Sequence, residues 1–249
     1  MRILLSNDDG FDSEGLKSLR NQLEKIGEVW TVAPLHEQSA QSHAFTLRKK
    51  LRFNNRSERI FTVDGTPADC VYVGLNHLGI SFDAVVSGIN HGQNLGTDIH
   101  YSGTVAAARE GCFRGVPSLA VSMRLRKTGT PNFGIPAKMA ANLLPFICSQ
   151  SDPQHTFFNL NVPDVDKTPD LRSARLGRIE YAIRVDEEVA DNNNSLLSIG
   201  GKPLHLSGPS DSDVRLYRQG FATLTPLTID SVDVSQYKGL QTRIDNTFK

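Results

Sequence analysis

The strongest constraint on the fold is the strand–helix–strand pattern at the start of the chain. The apolar run at residues 2–6 stops at Asn7-Asp8-Asp9-Gly10, and the lack of a polar face predicts a buried strand. Ser13 can cap a following helix, in which leucines and an isoleucine recur at helical spacing. Residues 29–33 then read as a second strand before Pro34. These segments together predict a βαβ unit.

The same alternation continues to about residue 165. Further strands are predicted at 60–63, 84–87, 119–122 and 157–162, with helices after Thr66, after Ser102 and at 135–148. Two short strand-like pieces at 45–47 and 51–53 interrupt the pattern. We therefore predict an α/β fold with a Rossmann-like, doubly wound, mainly parallel sheet in three αβα layers.

The pattern changes in the last third of the chain. Turn signals at 191–194 and 200–201 separate short strand-like segments, and a final strand at 220–227 is predicted to be closed by Pro226. No linker separates this part from the core. We predict one domain over 1–249, with an α/β core at about 1–165 and a β-rich oligomerisation extension at about 166–249.

Charge and cysteine content limit the classes of partner. The chain has 27 Lys+Arg and 27 Asp+Glu, a balance that does not suggest an obligate nucleic-acid partner. Cys70, Cys112 and Cys148 lack metal-site spacing and are expected to be reduced. The first residues do not resemble a signal peptide, and no apolar run is long enough to cross a membrane. We expect a soluble, cytoplasmic protein.

Two adjacent carboxylates are the leading candidates for chemistry. Asp8 and Asp9 follow the first strand, and two ionised neighbours need a cation or a raised pKa. Ser39 and Asn90 lie in loops that should meet them at the carboxyl edge of the sheet, and such oxygens suit Mg²⁺ or Mn²⁺. The alternative is that the two aspartates only form a turn and cap the helix after Ser13.

A second cluster opens a predicted helix. Ser102, Gly103 and Thr104 would present free N–H groups, hydroxyls and a close backbone approach to a phosphate. Asn94 and Gly96 in the preceding loop could add contacts to substrate. A simple helix cap by Ser102 uses the same donors, so both readings remain compatible.

Two histidines are weaker candidates. His43 and His91 lie in the polar loops and could act as an acid or orient a phosphate, although a lone loop histidine is more often only solvated. Walker A, GxGxxG and GxSxG patterns are absent after the predicted strands, which disfavours ATP hydrolysis, dinucleotide binding and serine hydrolase chemistry.

Several motifs in one order resemble the survival protein SurE family of metal-dependent nucleotidases. The matching segments are 3–10, 32–34 with Ser39, 65–71, 86–98, 101–108, 159–163 and 220–227. They cover nearly the whole chain, and residues 180–211 are the least recognisable part.

The resemblance implies both a ligand set and an activity. Asp8, Asp9, Ser39 and Asn90 would hold one divalent ion per subunit, Mg²⁺ or Mn²⁺, with Asp8 and Asp9 catalytic. The family hydrolyses nucleoside 5′- and 3′-monophosphates to nucleoside and phosphate, with some activity on short polyphosphate. Its members are cytoplasmic and form homodimers or homotetramers through exchanged C-terminal segments.

Two other classes remain open. A nucleotide-sensing binding protein could use the same fold with a degenerate site, although all four proposed ligands are intact here. A metal-dependent glycosyltransferase-like enzyme is weaker, because such enzymes place their acidic pair on a later strand. An aspartyl-phosphate intermediate is disfavoured, because haloacid-dehalogenase-like enzymes carry aspartates two residues apart.

Overall fold

A nine-stranded sheet forms the centre of the protein. The computed structural model describes residues 1–126, 128–150, 152–182, 184–189, 194–231, 237 and 239–247. The first seven strands are β1 (Arg2–Ser6), β2 (Glu28–Pro34), β3 (Phe53–Ser57), β4 (Ile60–Val63), β5 (Ala84–His91), β6 (Ser118–Arg124) and β7 (Thr156–Pro163). The helices between them are α1 (Glu14–Leu23), α2 (Pro67–His77), α3 (Gly103–Phe113) and α4 (Gly134–Gln150), and a 3₁₀ helix spans Gly96–His100.

The strand order creates a topological switch point. The order is β3-β4-β2-β1-β5-β6-β7-β13-β8, and the six strands from β4 to β7 in this order are parallel. The chain passes from β1 to β2 on one side and later returns to β5 on the other side of β1. Loops that leave the carboxyl ends of β1 and β5 therefore open a crevice between them, where ligands bind in such sheets.

Alternate residues of the strands pack against two helical layers. Ile3 and Leu5 of β1 join α1 and α4 in one buried cluster, whereas Leu4 lies in another with residues of α2 and α3. Local signals account for the helix starts: Ser13 accepts a hydrogen bond from the Leu16 N–H, and α2 begins with a capping box followed by proline. The predicted three-layer fold is confirmed.

The last third of the chain extends this sheet and adds two smaller ones. Its elements are β8 (Leu171–Ser173), β9 (Arg178–Tyr181), β10 (Arg184–Val189), β11 (Ser195–Gly200), β12 (Pro203–Ser207), α5 (Asp213–Arg218), β13 (Ala222–Thr228) and α6 (Leu240–Thr247). β13 pairs with β7 and β8 in the central sheet, β9 pairs with β12, and β10 pairs with β11. No helix in the described ranges has the length and apolar character needed to span a membrane.

Two local expectations are wrong. Residues 45–47 form no strand, because the N–H and hydroxyl of Thr46 donate to the Asp69 carboxylate instead of entering a ladder. Pro226 lies inside β13 rather than closing it. At that position β13 pairs only with β7, since β8 pairs no further than Leu224, so no ladder bond is lost on the other side. The turn expected at 191–193 lies outside the described residues.

Candidate active site

A cavity of about 590 Å³ opens at the switch point. Asp8 and Asp9 reach it from the loop after β1, Ser39 from the loop after β2, and Asn90 from the end of β5. The four residues proposed as metal ligands therefore line one cavity. This follows from the parallel sheet, whose strand ends deliver separate loops to the same edge.

Asp8 is buried at the start of α3. The backbone N–H of Thr104 donates to Asp8 Oδ2 at 3.1 Å, and the Thr104 hydroxyl donates to Oδ1. A Cβ on Gly103 would lie 3.0 Å from Asp8 Cβ and Oδ2, so only glycine allows this approach without a shift. Burial raises the pKa of Asp8, and the two Thr104 bonds oppose that rise.

Asp9 lies beside the end of β5. The backbone N–H of His91 donates to Asp9 Oδ2 at 3.2 Å, and His91 Nδ1 is 3.6 Å from Oδ1. Burial, followed by the nearby Asp8 charge, raises the Asp9 pKa to about 7. Burial lowers the pKa of His91, which favours its neutral ring.

Ser39 and Asn90 contribute neutral oxygens. Ser39 donates its hydroxyl hydrogen to Glu37 Oε1 at 2.7 Å, which leaves the oxygen lone pairs available to a ligand. Asn90 donates its amide to the Gly92 carbonyl at 2.7 Å, and this contact orients the other side-chain atom, Oδ1. A shift in the β5–β6 register precedes Asn90, at Gly88, whose φ of +139° and contact with the Val121 carbonyl exclude a side chain.

The cavity is rich in acidic side chains. Four carboxylates line it, those of Asp8, Asp9, Glu37 and Asp98, and its described lining includes no lysine or arginine. Like charges in a buried site repel, so a cation would relieve the raised pKa of both aspartates. Within the described ranges no three His, Cys, Asp or Glu side chains form a ligand cluster. The donor set is therefore two carboxylates with neutral oxygens, which fits Mg²⁺ or Mn²⁺ better than zinc.

The predicted phosphate contacts divide into two groups. Asn94 and Ser102 line the cavity. Ser102 accepts from the Val105 N–H and keeps its own hydroxyl hydrogen for a ligand, whereas one Asn94 amide hydrogen is already used by Ser122. The other predicted contacts, which do not line the cavity, are His43, treated below, and the three residues Gly96, Gly103 and Thr104.

The prediction for those three residues needs correction. Both Thr104 donors bind Asp8, so the carboxylate of this side chain occupies the start of α3 where a phosphate was expected. The Gly96 N–H donates to Asp213 Oδ2 at 2.8 Å. The backbone of Gly103 packs closely against Asp8 and does not face open space. Of the donors that these three residues were predicted to offer, the Gly103 N–H alone remains near the cavity.

His43 does not reach the cavity. Its Nε2 lies 3.1 Å from Oε2 of Glu110, a carboxylate that is only 4 % exposed and that also accepts from Arg114 at 2.9 Å. In place of the expected phosphate contact, His43 makes a hydrogen-bonded contact that ties the loop carrying Ser39 to α3. Sequence periodicity could not reveal this pairing, because Glu110 lies 67 residues away.

Besides Ala40, which directly follows Ser39, five other lining residues were not predicted as site residues. Glu37 is two positions before Ser39, and Gln93, Asp98 and Tyr101 lie in or next to the glycine-rich segment that already held Asn94, so proximity could have indicated them. Tyr181 could not have been found in this way. It belongs to β9 in the extension and donates its hydroxyl to Asp98 Oδ2 at 2.7 Å.

The fold and the cavity together define a Rossmann-like α/β protein with an acidic, oxygen-lined site at its switch point. The family model described as Survival protein SurE matches residues 3–183. The chain belongs to this family, and the resemblance seen in the sequence is confirmed.

Individual relatives match over nearly the full length. The protein named 5′-nucleotidase SurE from Anaeromyxobacter sp. (strain Fw109-5) is 42 % identical, covering 97 % of this chain and 95 % of the relative. Its namesake from Myxococcus xanthus (strain DK1622) is also 42 % identical, with 93 % and 89 % covered. The crystal structure of the SurE protein from Aquifex aeolicus superposes with a TM-score of 0.84 at 32 % identity, covering 97 % of this chain and 99 % of that one.

Proposed function

We propose that this chain is a metal-dependent phosphomonoesterase that hydrolyses nucleoside 5′-monophosphates, and also 3′-monophosphates, to nucleoside and phosphate. The observation that carries the proposal is the convergence of Asp8, Asp9, Ser39 and Asn90 on one acidic cavity at the switch point. The relatives named 5′-nucleotidase support the choice of substrate.

Asp8, Asp9, Ser39 and Asn90 would hold one divalent ion, Mg²⁺ or Mn²⁺, in each subunit. When bound, such an ion supplies a Lewis acid for a phosphate oxygen and lowers the pKa of a bound water. The anionic substrate has no lysine or arginine to bind among the lining residues described, so the ion is also the only source of positive charge we assign to the site.

The protein's own groups position the reactants. Thr104 holds the Asp8 carboxylate through two donors, which fixes its orientation toward the cavity. The Ser102 hydroxyl, which lines the cavity, donates to a phosphate oxygen and stabilises charge that develops on it. Asp9, held by the His91 N–H, orients the attacking water.

The proposal is tested by phosphate release from a panel of nucleoside monophosphates, with Mn²⁺ and after chelation. Asp9→Asn should lose turnover by at least two orders of magnitude, because the site loses a charged ligand. Asp12→Asn is the matched control, since this aspartate lies three residues away and is 76 % exposed. Activity that survives thorough chelation, or full activity in Asp9→Asn, would contradict the metal mechanism.

We also propose that the chain works as a homodimer or homotetramer joined through the β10–β11 hairpin. All described residues of both strands are exposed, and the apolar side chains Val185, Val189, Leu196, Leu197 and Ile199 are between 55 % and 90 % exposed. An isolated hairpin of this kind is marginally stable, and a contiguous exposed apolar surface marks an interface. Light scattering on Ile199→Lys and Leu197→Lys should show dissociation, and an unchanged mass would exclude this hairpin.

The reduced state of the cysteines supports a cytoplasmic location, which we propose on this basis. Cys70 and Cys112 are buried and Cys148 is half-buried, all as free thiols. Fractionation of the producing cells would test it, and recovery of the protein with an extracytoplasmic fraction would contradict it.

A further inference from the structure

A second cavity of about 540 Å³ adjoins the acidic one. Gln93 and Tyr181 line both cavities, so the two spaces adjoin at these side chains. Arg124, the last residue of β6, lies at the edge of this adjoining cavity, which therefore sits at the same carboxyl edge of the sheet. Its other walls come from β9, β12 and α5 of the extension.

The floor of the adjoining cavity is apolar. Leu95, Ile179, Val214 and Tyr217 pack in one buried cluster, each less than 9 % exposed, with Leu206 against them. The cluster joins Leu95 of the glycine-rich segment to the extension. Such a floor suits the face of a planar, weakly polar ring and does not suit a phosphate group, which needs N–H donors.

The rim of the adjoining cavity is cationic. Arg124 and Arg218 line it and are exposed, and neither makes an ion pair with any residue in the described part of the chain. Guanidinium groups bind ring acceptors through paired N–H groups and stack on aromatic faces. The ring of Tyr181 forms the wall toward the acidic cavity and is held by its hydrogen bond to Asp98.

We infer that the adjoining cavity binds the nucleoside part of the substrate while the ester phosphate lies at Asp8 and Asp9. This inference rests on the proposed function. Hydrolysis of a phosphomonoester needs the phosphorus at the acidic site, so the leaving nucleoside must extend away from it. The acidic cavity is lined by four carboxylates, whereas the adjoining cavity offers an apolar floor with unpaired donors at its edge.

The test compares a nucleoside monophosphate with glycerol 2-phosphate, whose leaving group is too small to reach the adjoining cavity. The variants are Arg124→Ala/Arg218→Ala and, separately, Leu204→Trp, which narrows the cavity from a rim position that is 74 % exposed. Arg215→Ala is the matched control, because this arginine lies on α5 but does not line the cavity. All reactions contain Mn²⁺ at saturation.

We expect kcat/KM for the nucleotide to fall about tenfold or more in both variants, mainly through KM, because a lost charge-assisted contact is worth about 1.5 kcal/mol or more. Glycerol 2-phosphate hydrolysis should change by less than about twofold, as should both activities of the control. Parallel losses for both substrates, or an unchanged nucleotide KM, would overturn the inference.

Calorimetry with the free nucleoside separates this inference from the proposed function. The wild type should bind adenosine, and the double arginine variant should bind it at least about fivefold more weakly. Adenosine binding that depends on these arginines in a protein without phosphatase activity would overturn the proposed function and support the subsite. Loss of pyrophosphate binding in place of adenosine binding would identify an anion site and overturn the subsite.

Discussion

Replacing Asp9 with asparagine should stabilise the metal-free protein above neutral pH while it removes turnover. Burial and the Asp8 charge raise the Asp9 pKa from 3.8 to about 7. Between these two pH values the folded protein holds a proton that the unfolded chain releases. Stability therefore falls as pH rises from about 4 to about 7, and remains at the lower level above that range.

The size of the effect follows from the two pKa values. The rise from 3.8 to about 7 corresponds to about 4 kcal/mol of lost stability at pH 8. Roughly 1.5 kcal/mol of this is already lost at pH 5, so the gain from Asp9→Asn should grow by about 2–3 kcal/mol between pH 5 and pH 8. For a chain of this length that growth is about 5–10 °C in melting temperature.

The assay is thermal and urea unfolding in EDTA at pH 5 and pH 8. The exposed Asp12→Asn control should differ from the wild type by less than about 0.5 kcal/mol at both pH values. Adding Mn²⁺ at pH 8 should stabilise the wild type more than Asp9→Asn, because only the wild type keeps both carboxylates. A stability difference that does not change with pH, or an Asp9→Asn variant less stable at pH 8, would refute the reasoning.

Three further substitutions test how the site is held. Thr104→Val removes the hydroxyl donor to Asp8 and keeps the backbone N–H donor, so the Mn²⁺ concentration for half-maximal activity should rise several-fold and the unfolding free energy should fall by about 1–3 kcal/mol; unchanged Mn²⁺ dependence would contradict this. Asp213→Ala leaves three backbone N–H groups unpaired and should lower the urea-unfolding free energy by about 2–4 kcal/mol, whereas a neutral effect would show that water replaces the carboxylate. Glu110→Gln weakens the contact with His43 that ties the Ser39 loop to α3, so a Mn²⁺ titration should show a several-fold weaker response with kcat at saturation within about twofold; a lower kcat at saturating Mn²⁺ would point to a different cause.

Much of the core was predictable because its signals are local. The apolar run before Asn7, the spaced leucines after Ser13 and the Thr66–Pro67 helix start each depend on a few neighbouring residues. The segment after Pro34 was less predictable. Its Thr46 is bound by Asp69, 23 residues away, and this contact replaces the strand expected there.

The candidate site was likewise predictable only in part. Residues 8, 9, 39 and 90 were expected to lie near one another, because each follows a strand of the predicted parallel sheet, and they line one cavity. Metal ligation by them stays a prediction. The donors at the start of α3 were assigned to phosphate, and two of them instead bind Asp8. The free N–H groups at a helix start attract anions in general, so the sequence does not show which anion will bind there. The tertiary structure decides this by placing the Asp8 carboxylate at the start of α3.

Local patterns in the chain were enough to predict the alternation of strands and helices, the carboxyl edge at which polar loops gather, and the family. Only the tertiary structure decided that His43 pairs with Glu110, that Gly96 is tied to Asp213, and that Tyr181 stands between two cavities. These contacts join residues 67–117 positions apart. The first contact depends on how the loop after β2 packs on α3, and the other two depend on how the extension packs on the core. A local sequence pattern carries no information about such distant partners.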